Sequence, residues 1–178
     1  MVSREEWIKA GIKALVRGGP EAVRVEPLAK QLAVTKGSFY WHFDDRGALL
    51  DALLEQWKRV ATLAVIDAIE PQAITPQERL RALMMMTFRS AEAPAIEGAI
   101  RAWSASDPRA QKVVRRIDRV RERYVRELLV ECGLPAQVAA ARARVMYLAL
   151  IGEFSVVAHG GAPSSPALFG ELLRLLLA

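Results

Sequence analysis

The chain has 178 residues, 52% of them hydrophobic and 25% charged, with a formal net charge of +5. This is enough apolar material for one sizeable core, or for a small module joined to a larger one, and it excludes a disordered chain. No run of about 18 apolar residues occurs, so neither a membrane-spanning helix nor a membrane partner is expected, and a single cysteine, Cys132, excludes an intrachain disulfide.

The N-terminus carries Arg4, Glu5, Glu6 and Lys9 and no apolar block of the secretory kind. With the lone thiol, this leads to the expectation of a cytoplasmic protein. His42 and His159 stand far apart, so neither a metal site nor a cofactor is expected.

Helix signals run the length of the chain. Ser3 stands three residues before Glu6, the spacing of a capping box, and Trp7, Ile8, Ile12, Leu15 and Val16 recur at helical intervals. Gly18-Gly19-Pro20 ends that helix. Pro27 fits the first turn of a second helix, followed by Leu28, Ala29 and Leu32. Thr35 is placed to cap a third, short helix reaching about Phe43. Asp44 or Asp45 is placed to cap a fourth, with Leu49, Leu50, Leu53, Leu54 and Trp57 on its apolar side. That helix extends to about Ile69, roughly 37 Å at the α-helical rise, and Pro71 stops it. Thr75-Pro76-Gln77-Glu78 opens a fifth helix to about Ser90, Pro94 a sixth to about Ser106, and Asp107-Pro108 a seventh ending at Gly133. Pro135 opens an eighth to about Ala158, and Ser165-Pro166 a last one to about Leu177. The pattern predicts an all-α chain of about nine helices, with a helix-turn-helix three-helix unit at its N-terminus.

Chemistry concentrates in residues 25–43. Leu28, Ala29, Leu32 and Val34 supply the inside of the three-helix unit, and Phe39 and Phe43, spaced i and i+4, turn one face of the third helix onto it. The opposite face is forced outward with Lys36, Gly37, Ser38, Tyr40, Trp41 and His42. Exposing Tyr and Trp together signals a contact surface. Gly37 permits close approach, and the helix start offers free amides to a phosphate. These are the requirements of a helix in the major groove. The competing reading packs Tyr40, Trp41 and His42 against the fourth helix.

Thr35-Lys36-Gly37-Ser38-Phe39-Tyr40-Trp41-His42-Phe43, followed by Arg46, Ala48, Leu49 and Leu50, resembles the signature of the TetR family of transcriptional regulators. The similarity is dense over about residues 8–55 and continues loosely beyond. The resemblance implies a homodimeric repressor that binds double-stranded operator DNA and is released by a small effector. It divides the chain into a helix-turn-helix DNA-binding domain, 1–47, and a helical effector-binding and dimerisation domain, 48–178. Carried over by position, it implies phosphate contacts from Thr35, Lys36, Tyr40, His42 and Arg46, and base-edge contacts from Gly37, Ser38 and Trp41. Two positions depart from the family pattern. Ala33 stands where a turn glycine is usual, and Arg24 stands where a threonine usually caps the second helix and reaches a phosphate. Arg24 keeps the reach to a phosphate but lacks the capping hydroxyl.

The family's dimers form through the last two helices, and the sequence permits this. Val145, Leu148 and Gly152 make a stripe, with Ala141 and Gly152 allowing close approach, and Leu168, Leu172 and Leu176 belong to a last helix apolar nearly all round. The family's middle helices enclose an effector, for which Met84, Met85, Phe88, Trp103, Tyr124, Tyr147 and Phe154 are candidates, against ordinary core packing for each. The lack of a charge cluster in this set points to an apolar or aromatic effector. Lys112, Arg115, Arg116, Arg119, Arg123 and Arg126 line one face of the seventh helix, open to two readings, a second nucleic-acid surface and a solvated face paired with Asp118 and Glu122, of which the second is expected. No nucleophile–base pair, carboxylate dyad or phosphate-cradling glycine loop is legible, so an enzyme is not expected.

Overall fold

Ser3 begins the first helix by a reciprocal cap: its Oγ accepts from the Glu6 amide at 3.2 Å, and its own amide donates to Glu6 Oε2 at 2.7 Å. The computed structural model describes residues 2–70, 75–88 and 90–178. Within them the order is α1 (Arg4–Gly18), a 3-10 turn (Pro20–Ala22), α2 (Val25–Gln31), α3 (Gly37–Tyr40), α4 (Arg46–Lys58), a π-helical segment (Arg59–Leu63) and α5 (Ala64–Ile69). There follow α6 (Pro76–Phe88), α7 (Ala93–Ser104), α8 (Pro108–Glu131), α9 (Ala136–Ala158) and α10 (Pro166–Leu177). Because α4, the π segment and α5 follow without a break, the described residues form nine helical rods and no strand, the all-α chain that the pattern predicts. Pro71, expected to stop the fourth rod, lies outside the described residues.

These residues gather into two compact units, Met1–Arg59 with Ile96–Val114, and Val60–Ala95 with Arg115–Ala178. In the first, α1 buries Trp7, Ile8, Ala14 and Leu15, and α4 buries Leu49, Leu50, Leu53 and Leu54. A Cβ on Gly11 would stand 2.9 Å from Leu53 Cδ2, so glycine there lets α1 and α4 touch. This is why the unit runs past residue 47. Trp7 meets the Phe39 ring edge-on at 5.2 Å, and Phe39 stacks on Phe43 at 5.3 Å. Full burial of each such side chain contributes about 1.5–3 kcal/mol. Asp45, not Asp44, caps α4, its Oδ1 accepting from the Ala48 amide at 2.7 Å. Farther along, buried Glu97 accepts from Trp57 Nε1 at 3.1 Å and from Arg101 Nε at 2.9 Å. Asp107 Oδ1 accepts the Arg109 amide at the start of α8, and the Arg109 guanidinium beside it is the main cause that holds its carboxyl down at about 2.

The second unit is built on one apolar cluster. Ile69, Leu80, Met84, Phe88, Leu128, Met146, Leu150, Phe154, Phe169, Leu173 and Leu176 all belong to it. Thr75 and Glu78 form a second reciprocal cap at the start of α6. In the π segment, Arg121 Nε donates to Thr62 Oγ1 at 3.0 Å and its guanidinium to the Ala61 carbonyl at 3.2 Å.

The third helix differs from the expectation. It starts at Gly37 and ends at Tyr40, with no side-chain cap, so Thr35 does not cap it and it falls short of Phe43. The backbone instead closes tight turns, with Ser38 N–H on Thr35 O at 3.0 Å and His42 N–H on Phe39 O at 2.9 Å.

Candidate nucleic-acid interface

The turn between α2 and α3 sets the interface. The Ala33 amide donates to Lys30 O at 3.2 Å and the Val34 amide to Ala29 O at 3.0 Å, the paired bonds of a Schellman ending. Ala33 accordingly takes φ 55°, in the left-handed region. Phe39, wholly buried, then fixes the rotation of α3 about its own axis, which drives the neighbouring side chains outward. Trp41 is 85% exposed and Tyr40 55% exposed. The reading that packs Trp41 against the fourth helix therefore fails. Tyr40 keeps its place by lying edge-on to Phe39 at 5.3 Å.

Beside this pair lies a hollow of about 520 Å³ lined by Arg24, Glu26, Pro27, Lys30, Lys36 and Tyr40, among others. Three cations surround one carboxylate there. Lys36 Nζ stands 2.9 Å from Glu26 Oε1, and that contact pushes the ammonium up and holds the Glu26 carboxyl down. Exposed aromatic faces beside excess positive charge suit a duplex, which offers phosphates along its edge and base edges in its groove.

Residues 8–53 match the family model described as bacterial regulatory proteins, tetR family. The first domain is therefore a TetR-family DNA-binding domain by this match. Among curated relatives, the class C tetracycline repressor protein of Escherichia coli is 39% identical over 54 residues, 30% of this chain and 25% of the relative. The chain thus matches about a quarter of the length of that relative. Among solved structures, a TetR-family transcriptional regulator from Streptomyces coelicolor aligns with a TM-score of 0.78 at 19% identity, covering 98% of this chain and 96% of that one. A transcriptional regulator from Saccharomonospora viridis, solved in complex with choline, aligns with a TM-score of 0.75 at 15% identity, covering 97% and 92%. The structural likenesses show the fold. The family is one of DNA-binding transcriptional regulators and not of enzymes.

Against the TetR signature, the expected DNA residues separate into two groups. Arg24, Thr35, Lys36, Gly37, Tyr40 and Trp41 are all exposed, and Ser38 is partly so. A Cβ on Gly37 would meet nothing closer than Thr35 Oγ1 at 3.7 Å, so nothing in the chain itself requires glycine there. Arg24 precedes α2 in extended conformation and makes no side-chain cap, as its lack of a hydroxyl predicts.

His42 and Arg46 are engaged within the chain. His42 Nε2 lies 2.8 Å from the Val2 carbonyl oxygen. Arg46 donates from Nε to the Val23 carbonyl at 2.7 Å and from its terminal nitrogen to the Pro20 carbonyl, and stands 3.6 Å from Glu21. Both side chains hold backbone that leads into α1 and α2. The sequence carries no signal for this, because the partners are main-chain carbonyls of any residue type.

The remaining candidates fall in both units. Met84, Phe88 and Phe154 fill the apolar cluster of the second unit, with Tyr124 against it, and Met85 is exposed. Tyr124 donates to Glu70 Oε1 at 2.9 Å, and burial, with that carboxylate, pushes its phenol up. Buried Tyr147 donates to Asp118. Trp103 belongs to the first unit and donates to Asp107 Oδ2 at 3.1 Å. Val145, Leu148, Gly152 and Leu168 are exposed and Leu172 is half-buried. Leu176, expected on a dimer face, is instead core, and its neighbour Leu175 faces out. Leu175 and Val156 extend the exposed apolar surface of α10 and α9 beyond the expected residues. Cys132 is half-buried, and that burial pushes its thiol up, which suits an inert side chain. No helix among the described residues is long and apolar enough to cross a membrane.

Proposed function

We propose that the chain is a homodimeric repressor that reads a palindromic operator with the exposed face of α2 and α3. The observation that carries this reading is Trp41, 85% exposed beside Tyr40 and next to a cation-lined hollow. Two large rings exposed side by side next to excess positive charge mark a contact surface. In this reading Arg24, Lys30 and Lys36 take phosphates, and Gly37, Ser38 and Trp41 take base edges, with the DNA-binding function falling to residues 1–47 and the remainder serving assembly and response. A chromosomal partner would make the protein cytoplasmic.

Dimerisation is supported by the outward stripe Val145, Leu148, Gly152 and Val156 on α9, and by Leu168 and Leu175 on α10. A Cβ on Gly152 meets nothing within 4 Å, which leaves room for a second backbone. A two-fold dimer sets its two α3 elements one DNA turn apart, about 34–36 Å. Release by a small apolar or aromatic effector completes the proposal. The uncharged Met84, Phe88 and Phe154 surroundings favour such a ligand, and the choline complex of the Saccharomonospora protein illustrates ligand binding on the same fold. Coupling of about 1–3 kcal/mol would lower DNA affinity some 5–150-fold.

The test is binding of the purified protein to DNA flanking its own gene, at two salt concentrations, beside Trp41→Ala. Specific, salt-sensitive binding that Trp41→Ala weakens tenfold or more, about 1.4 kcal/mol, is expected. Binding indifferent to both sequence and Trp41 would overturn the operator reading and leave the helix-turn-helix as a protein-contact scaffold.

A further inference from the structure

The arginines of α8 are segregated from its acids. Arg116, Arg119, Arg123 and Arg126 fall within about an 80° arc at 3.6 residues per turn and extend about 15 Å along the axis. All four are exposed. The acids expected to neutralise them are turned to other partners: Asp118 accepts from Tyr147 and Glu122 pairs with Arg144. Only Glu127 approaches the row, 3.8 Å from Arg123 Nε. Among the described residues, no carboxylate pairs with Arg116, Arg119 or Arg126. The row borders a hollow of about 400 Å³ lined by the four arginines and Val120. The face is solvated as expected, but the expected pairing with Asp118 and Glu122 is corrected.

The chemistry of this row selects its occupant. A small ligand would need to be enclosed over most of its surface, and a hollow walled by one helix cannot do that. A protein partner would need an apolar or aromatic anchor, and half-buried Val120 is the only apolar residue lining it. Four guanidinium groups in line, spaced about 4.5–6 Å along the axis, match a partner whose negative charge is itself a continuous line. Guanidinium groups also bind phosphate oxygens in two-pronged fashion.

We propose that the outer face of α8 binds the phosphodiester backbone of duplex DNA without regard to sequence, as a contact separate from the α2–α3 face. This inference does not rest on operator recognition, since a protein with no operator would still show it.

The experiment is a salt titration on a short random-sequence duplex between about 50 and 200 mM. The full chain is compared with the quadruple variant Arg116→Gln, Arg119→Gln, Arg123→Gln and Arg126→Gln and with a second quadruple variant to Lys at the same positions, and each is also titrated with vesicles rich in anionic phospholipid. Three to four lost phosphate contacts should flatten the plot of log affinity against log salt by about 2–4 and weaken low-salt binding by about tenfold or more. The Lys variant should keep most of the slope. Helicity and melting temperature check that the Gln variant folds. Equal slopes for the Gln variant and the parent overturn the proposal. So does loss confined to vesicles rich in anionic phospholipid, which would reassign the face to a membrane surface.

Discussion

Lys36 Nζ is held 2.9 Å from Glu26 Oε1, so the cation that opens α3 is partly neutralised before any anion arrives. Both side chains are well exposed, and salt screens such a pair. A phosphate must therefore compete with Glu26 for Lys36. Glu26→Gln should tighten DNA binding by about 3- to 10-fold at low salt, the effect of roughly one added phosphate neutralisation. Its melting temperature should match the parent. Fluorescence anisotropy with labelled duplex reads the change. Weaker binding would mean that Glu26 aims Lys36 rather than competing for it.

Ala33 occupies a left-handed position with φ 55°, the one positive-φ residue other than glycine among those described. The Schellman ending of α2 requires that conformation, and a Cβ makes it costly by about 1–2 kcal/mol. Part of the relief given by glycine is offset by its freer unfolded chain. Ala33→Gly should still stabilise the protein by about 0.5–1 kcal/mol and raise the melting temperature by about 1–4 °C. A lower melting temperature in calorimetry would show that the αL strain is already absorbed elsewhere.

Arg46 bridges two carbonyls, Val23 through Nε and Pro20 through its terminal nitrogen. Its position in the TetR signature implies a phosphate contact, and its geometry gives it a folding role. Lysine has one nitrogen and cannot serve both carbonyls from the same place. Arg46→Lys should cost about 1–2 kcal/mol, read as a lower urea midpoint in the absence of DNA. A purely DNA-facing arginine would leave the midpoint where it was.

The contrast between Arg46 and Phe39 shows which parts of the molecule are legible in sequence. Phe39 and Phe43 are fixed by helical spacing, so the inward and outward faces of α3 follow from the pattern, and Trp41 with them. The caps at Ser3, Asp45, Thr75 and Ser165 are likewise short-range and local. Thr35 misleads because α3 begins with tight turns that satisfy its amides through main-chain carbonyls. His42 and Arg46 bond to carbonyls 40 and 23 residues away, which no side-chain pattern marks. Asp118 and Glu122 sit at helix spacing from the arginines, yet a tyrosine and an arginine 29 and 22 residues away hold them. In α10, where nearly every residue is apolar, the sequence does not separate the leucines that face the core from those that face out.

Leu175 and Leu176 turn that last ambiguity into a test. Leu175 is 58% exposed, whereas Leu176 is 2% exposed within the cluster that holds Met146, Phe169 and Leu173. If the apolar surface of α9 and α10 meets a second copy, Leu175→Glu places a charge in that interface while leaving the core of each chain intact. It should convert dimer to monomer in sedimentation analysis with the helical signal retained, and Leu148→Glu should do the same. Leu176→Ala should instead cost about 2–5 kcal/mol by opening a cavity in the chain's own core, lowering thermal stability with no direct loss of interface contacts. A Leu175→Glu protein that remains dimeric would place the partner surface elsewhere. The exposed stripe Val145, Leu148 and Val156 would then need another cover, since contiguous apolar surface of that kind seldom stays bare in water.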